Sequence, residues 1–265
     1  MRKTTRRSWP AFLSLALAGA LLSLTLVARV AASGTPVQPQ QGNQEAAEAA
    51  ARLNKKQFRD VRVTVSNGIA TLTGSVSLYE FKADAQKQVL HAKSVNAVRN
   101  LIRVAGPNIS DQALQAKLQE KLAYNQEGYG NLFDAITLNV RNGVATLGGH
   151  VHNYVNRDSA LALVATTPGV KDMIDDMEVD PVSSMDWEIR LAVARAIYGY
   201  PTMNKYAINP VRPIRISVQN GHVELYGTVD SQADKDTAYI RANSVSGVFS
   251  VKNYLQVAGQ PTGAK

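Results

Sequence analysis

The chain has 265 residues, 45% of them hydrophobic, with no cysteine and a formal net charge of +8. That is enough apolar material for one large domain or several small ones, and without cysteine neither disulfides nor a lipoprotein anchor can be built. Removing residues 1–32 takes away five basic residues and leaves 24 basic against 21 acidic, a net +3, which argues against nucleic acid as a partner.

In chain order, Arg2, Lys3, Arg6 and Arg7 precede an apolar run over 9–28, and small residues follow around Ala31, Ala32 and Ser33. The pattern predicts a signal peptide over 1–32, with Val30 and Ala32 at the small-residue positions of the cleavage site. A run of about 20 apolar residues also spans a bilayer, so an uncleaved anchor is the alternative. Either way the basic end stays cytoplasmic and the rest is exported. Residues 33–43 read as a linker.

Over 44–53 the Gln/Glu/Ala-rich stretch predicts a helix. Val61, Val63 and Val65 then alternate with polar residues, the period of a half-buried strand. Asn67-Gly68 suits a type I′ turn, because both residues tolerate positive φ. The chain returns through ATL to Gly74, a glycine inside a strand pattern that marks a bulge or a close backbone approach. Ser77 with Glu80 signals a helix start, Ala85 and Val89 share a helix face, and a last strand ends at Val104.

The same order recurs twice. Residues 110–122 and 184–198 predict helices, and strands follow through Ile136, Leu138, Val140 and through Ile214, Ile216, Val218. Turns at Asn142-Gly143 and Asn220-Gly221 lead to Gly149 and Gly227. Helices then start near Asn153 and at Ser231 with Asp234, and last strands end at Val179 and Val257. The Asn-Gly pairs lie 75 and 78 residues apart, and each second glycine precedes its closing valine by 30 residues. Such spacing establishes an internal repeat. The fold class is therefore α+β: three tandem αββαβ modules, each a small three-stranded sheet with two helices on one face, over 44–105, 109–180 and 184–258, with a tail over 259–265. A right-handed crossover would make the last strand of each module parallel to the one before it. Strand order is left open.

The hairpin V-x-N-G-x-(A/V)-x-L-x-G-x-V, the helix after it and the closing apolar strand resemble the BON domain family, named for bacterial OsmY and nodulation proteins. The resemblance covers nearly all the chain after the leader. It implies αββαβ modules in a periplasmic or membrane-associated protein, often in tandem, with phospholipid binding and a role in envelope integrity or stress tolerance. The longer loops before the second and third hairpins depart from the family pattern.

No repeated position carries catalytic chemistry, so a non-enzymatic protein without metal or cofactor is expected. His150 and His152 lie two apart and could share a metal, yet no third ligand is spaced for it. The acidic run Asp172, Asp175, Asp176, Glu178 and Asp180 lacks the order of a calcium loop and reads as a solvated face. Charge alternates by module: 10 basic against 5 acidic over 33–105, 5 against 10 over 106–181, and 9 against 6 over 182–265. Either the first module docks on anionic headgroups through Lys55, Lys56, Arg59 and Arg62, or neighbouring modules attract each other, or the charge serves solubility alone. Trp187, Tyr198, Tyr200 and Tyr206 offer apolar bodies with polar tips to an interface, or else pack on their own module. Anionic phospholipid or a membrane surface is the expected partner, a scaffold joining envelope proteins the alternative; no nucleic acid or small-molecule substrate is expected.

Overall fold

Three Asn-Gly pairs frame the fold. Asn67, Asn142 and Asn220 have φ of 51°, 54° and 50°, and the glycines after them 73°, 77° and 75°, the two successive positive angles of a type I′ turn. In the computed structural model, which describes residues 39–124, 130–181, 183–209 and 212–259, each turn closes a hairpin. The first module runs α1 (Pro39–Ala51), a 3₁₀ turn (Lys56–Phe58), β1 (Val61–Ser66), β2 (Ile69–Val76), α2 (Tyr79–Leu90), β3 (Ala97–Asn100) and β4 (Arg103–Val104). The second runs α3 (Asp111–Tyr124), α4 (Gly130–Phe133), β5 (Ala135–Arg141), β6 (Val144–Val151), α5 (Tyr154–Ala165) and β7 (Asp172–Val179). The third runs α6 (Ser184–Tyr198), α7 (Lys205–Ile208), β8 (Arg215–Gln219), β9 (His222–Tyr226), β10 (Thr228–Val229), α8 (Gln232–Asn243), β11 (Ser250–Asn253) and β12 (Gln256–Val257).

In the main sheet of each module, with β10 and β12 paired separately in parallel, the second hairpin strand is central. It is antiparallel to the first strand and parallel to the last, as the crossover requires. The second glycine of each copy is a point of close approach: φ is 108°, 87° and 128° at Gly74, Gly149 and Gly227. A Cβ on Gly74 or Gly149 would stand 1.9 or 2.0 Å from the carbonyl oxygen of Asp60 or Ala135.

The two helices cover one face, and the small residues of the sequence pattern let them lie close to it. Ala85 and Val89, Ala160 and Val164, and Ala238 and Ala242 are all buried against Leu72, Leu147 and Leu225 of the central strands. Burial of each such Val or Leu is worth about 1.5–3 kcal/mol. The upstream helices differ. Leu114, Leu118 and Leu122 of α3 and Ile189, Val193 and Ile197 of α6 fill their cores, whereas α1 contributes Ala49 and the space is taken by Phe58 of the 3₁₀ turn.

Four expectations need correction or lie elsewhere. The linker is shorter than 33–43, because α1 begins at Pro39, where proline's missing N–H costs a helix nothing. Ser77 does not cap α2; the cap position is Leu78, without a side-chain bond, while Asn153 and Ser231 do cap α5 and α8. The signal peptide over 1–32 and residues 260–265 of the tail fall outside the described residues. Among the described residues no helix is long and apolar enough to cross a membrane.

The junctions between modules use different chemistry. Between the first and second, Tyr79 of α2 leans on the second core and Lys82 Nζ meets Asp172 at 2.8 Å, a carboxylate with 48% of its side chain exposed. Between the second and third the contact is buried. Asp180 is 1% exposed and stands where the other copies have Ala105 and Ala258. Its carboxylate accepts from Arg190 at 2.6 Å, Gln219 at 2.9 Å and Ser217 at 3.2 Å. Phe133, which lies three residues before Ile136 as Phe58 lies before Val61 in the matching register, leaves its own module and enters the third core.

Candidate functional site

Because the helices occupy one face of each sheet, the other face is where the modules can differ without losing the fold. Strand register gives the rows of that face in the first module. Arg62 lies opposite Thr73, Thr64 opposite Thr71 and Thr71 opposite Arg99, and Ser75 opposite Arg103. The hydroxyls of Thr71, Thr73 and Ser75 thus run up the central strand with arginines on both sides. Arg62, Arg99 and Arg103 are all exposed, and none has an ion pair among the described residues. Ile69 and Leu101, on the same face, are 42% and 56% exposed. No acid stands on the described strands of this sheet.

The basic residues expected from sequence lie around this face. Arg62 is on it. Lys56 and Arg59 line a depression at its end together with Ser75 and Ser77, and Lys55 is exposed just ahead of the 3₁₀ turn. Arg59 and Asp60 pair at 3.3 Å with both side chains largely in solvent, a contact of little energy. Arg99 and Arg103 were missed because they lie more than 35 residues from Arg62 in the chain. Their alternation with Val98, Ile102 and Val104 was the available signal, but without strand order it could not be joined to Arg62.

The aromatic candidates do not join this face. Tyr206 is buried, its hydroxyl donating to Asp234 at 2.7 Å and accepting from the Asp230 amide at 2.7 Å. Tyr198 donates to the Ile214 carbonyl at 2.6 Å, and burial pushes its pKa well up. Met203 is fully buried as well. The loop before the third hairpin therefore packs on its own module, with the Tyr198 and Tyr206 hydroxyls bonded within it. Tyr200 is 40% exposed under the Arg241 guanidinium, 5.3 Å from the ring. Trp187 sits at the junction of the second and third modules, edge-on to Phe133 at 5.4 Å and stacked on His152 at 6.1 Å.

The histidines and acids of the second module have structural partners. His152 Nδ1 lies 2.6 Å from Asp134, and His150 Nδ1 lies 3.5 Å from Asp180, so the two imidazoles face different carboxylates. Within the acidic run, Asp172 reaches the first module, Asp175 binds Arg157 of its own module at 2.5 Å, and Asp180 reaches the third; Asp176 and Glu178 are exposed. Among the described residues no three His, Asp or Glu side chains are placed to hold a metal ion.

Two acids that sequence reading passed over hold the hairpins. Asp111 at the start of α3 accepts the amides of Asn142 and Gly143 at 2.6 and 2.8 Å. Asp186 in the first turn of α6 accepts those of Asn220 and Gly221 at 2.9 and 2.8 Å. Each ties the upstream helix to the turn, and both stand three residues before the first buried apolar residue of their helix.

The BON domain profile matches residues 43–106, 110–181 and 202–259, the third match opening beyond α6. Osmotically-inducible protein Y of Escherichia coli (strain K12) is 27% identical over 197 residues, which covers 70% of this chain and 91% of that protein. Two structures of CdsD, a structural protein of the type III secretion system of Chlamydia trachomatis, align with 80% of this chain. The C-terminal domain of CdsD is covered to 96% at 18% identity with a TM-score of 0.24, and the other structure to 90% at 17% identity with a TM-score of 0.23.

Proposed function

The chain belongs to the BON domain family, and we propose on that basis that it is a non-enzymatic, periplasmic envelope protein that contacts anionic phospholipid through the open face of its first sheet. The face carries the reading: three exposed arginines, a line of hydroxyls and two exposed aliphatics, with no acid on its strands. Arginine forks and hydroxyls bind phosphate oxygens, and each basic residue near an anionic surface contributes about 1 kcal/mol. Ile69 and Leu101 would lie at the headgroup boundary, where exposed apolar side chains gain from leaving water. The basic leader followed by an apolar run supports export. The name of the osmotically-inducible relative supports a role in tolerance of osmotic stress.

The test is co-sedimentation of the purified protein with phosphatidylcholine vesicles, with and without phosphatidylglycerol, at low and high salt. Binding should require the anionic lipid and weaken with salt. Binding in no condition would overturn the lipid reading and leave the face to an acidic envelope protein.

A further inference from the structure

The open face of the third sheet carries different chemistry from the first, on rows in matching register. Ser217, Glu224 and Lys252 stand where the first module has Thr64, Thr71 and Arg99, and Gln219, His222 and Ser250 where it has Ser66, Ile69 and Ala97. With His150 reaching over from the second module, these residues line a cleft of about 520 Å³.

Each lining group is held by a second partner. Ser217 and Gln219 donate to Asp180 at 3.2 and 2.9 Å. Lys252 donates to Glu224 at 2.9 Å, and the Tyr226 hydroxyl donates to the same carboxylate. His222 Nδ1 lies 2.8 Å from the Ser250 hydroxyl. The charges of the floor are therefore matched in pairs, Lys252 with Glu224 and Arg190 with Asp180. The exposed Lys252 ammonium and the Glu224 carboxylate thus compensate each other beside the polar side chains of Gln219, His222 and Ser250, which their partners hold in place.

Exposed aromatic rings stand on the same sheet beside the lining residues. Phe249, 69% exposed, lies beside His222 with ring centroids 6.0 Å apart at the hairpin-turn end. Tyr254, 49% exposed and five residues beyond Phe249 in the chain, stacks on Tyr226 at 5.2 Å, a span of about 16 Å by strand rise.

We propose that this face is a binding site for a short, uncharged oligosaccharide. Sugar hydroxyls both donate and accept, as the floor does, and the apolar faces of sugar rings pack on aromatic rings such as Phe249 and Tyr254. The chemistry disfavours other occupants. A strongly anionic ligand would meet Glu224 with its one nearby ammonium already paired, and an acyl chain would desolvate polar groups without replacing their hydrogen bonds. The site lies apart from the first sheet and does not depend on the lipid reading.

The test is a two-dimensional amide NMR titration of the whole protein with maltotetraose, cellotetraose and the tetramer of N-acetylglucosamine, with a hyaluronan tetrasaccharide as the anionic comparison. At least one neutral sugar should shift the amides of Gln219, His222, Glu224 and Phe249 and exceed the anionic one in affinity. Phe249→Ala, at an exposed position that the core does not use, should weaken that binding about tenfold while leaving vesicle binding unchanged. His222→Ala should do the same. No shifts with any neutral sugar at tens of millimolar, or shifts unchanged in both variants, would overturn the assignment.

Discussion

The open faces of the first and third sheets occupy the same place in the same fold and have opposite fates. In the first module Arg62, Arg99 and Arg103 are exposed and without ion pairs among the described residues, beside exposed Ile69 and Leu101. In the third, Glu224 is paired with Lys252, and Ser217 is buried under Asp180 of the module before it. The difference teaches where a repeat keeps its freedom. The helix-covered face must bury Leu72, Leu147 or Leu225 in every copy, so it cannot diverge. The other face owes nothing to the core and is open to specialise, one copy toward a charged surface and another toward its neighbour and a polar cleft.

The largest expected effect tests whether the second module is docked on one side of the third face through a buried ion pair. Among the described residues, Asp180→Ala would leave Arg190, 3% exposed and with its Nε already lacking a partner, with only the Val218 carbonyl. Removing one member of a buried ion pair costs about 3–5 kcal/mol. Urea unfolding should show a loss of that size, and a loss below about 1 kcal/mol would mean that the junction is solvated and the comparison with the first face is wrong. The next effect is on the first face. Replacing Arg62, Arg99 and Arg103 together by serine removes about 3 kcal/mol of attraction to an anionic surface, or roughly 100-fold in affinity for phosphatidylglycerol vesicles. Far-UV circular dichroism should stay unchanged, since none of the three is in the core. Equal binding by wild type and triple variant would place the lipid contact elsewhere.

The period-two strands, the Asn-Gly turns and the 30-residue spacing made the modules legible, because those residues answer to backbone geometry and to one sheet face. The sites were less legible for a physical reason. Arg62 joins Arg99 and Arg103 only through strand order, which a parallel crossover leaves undetermined in sequence. Asp111, Asp186 and Asp180 look like ordinary surface acids until the amides and the guanidinium they hold are in place. The charge alternation divides in meaning: Asp172 and Asp180 join modules, while Arg62, Arg99 and Arg103 face solvent. In the loop before the third hairpin, of the two readings the sequence leaves open for its aromatics, Met203 and Tyr206 follow the packed one, fully or nearly buried, because a chain segment between helix and strand still carries a core, while Tyr200 stays 40% exposed.

A smaller effect separates the two junctions. Lys82→Ala removes a pair whose carboxylate is half in solvent, so the cost should stay below about 1 kcal/mol. It should be largest at low salt, in contrast to Asp180→Ala, whose buried pair salt screens little. A salt-independent loss of several kcal/mol for Lys82→Ala would make the two junctions alike.

The smallest effect is a pH dependence belonging to the third module. Burial alone would raise the pKa of Asp234, but the Lys205 ammonium at 2.9 Å and the Tyr206 hydroxyl at 2.7 Å outweigh it and hold the carboxyl below its usual value. A carboxylate depressed on folding adds stability that is complete above its unfolded pKa, near about 3.9, and is lost as the pH falls through the lower folded value. Thermal melts from neutral pH downward should therefore hold level and then drop below about pH 4. Asp234→Asn should melt lower at neutral pH and lose less on acidification, so that the two curves converge in acid. Parallel curves would show that Asp234 is not the titrating group and that the third module is not held together by paired charges at this corner.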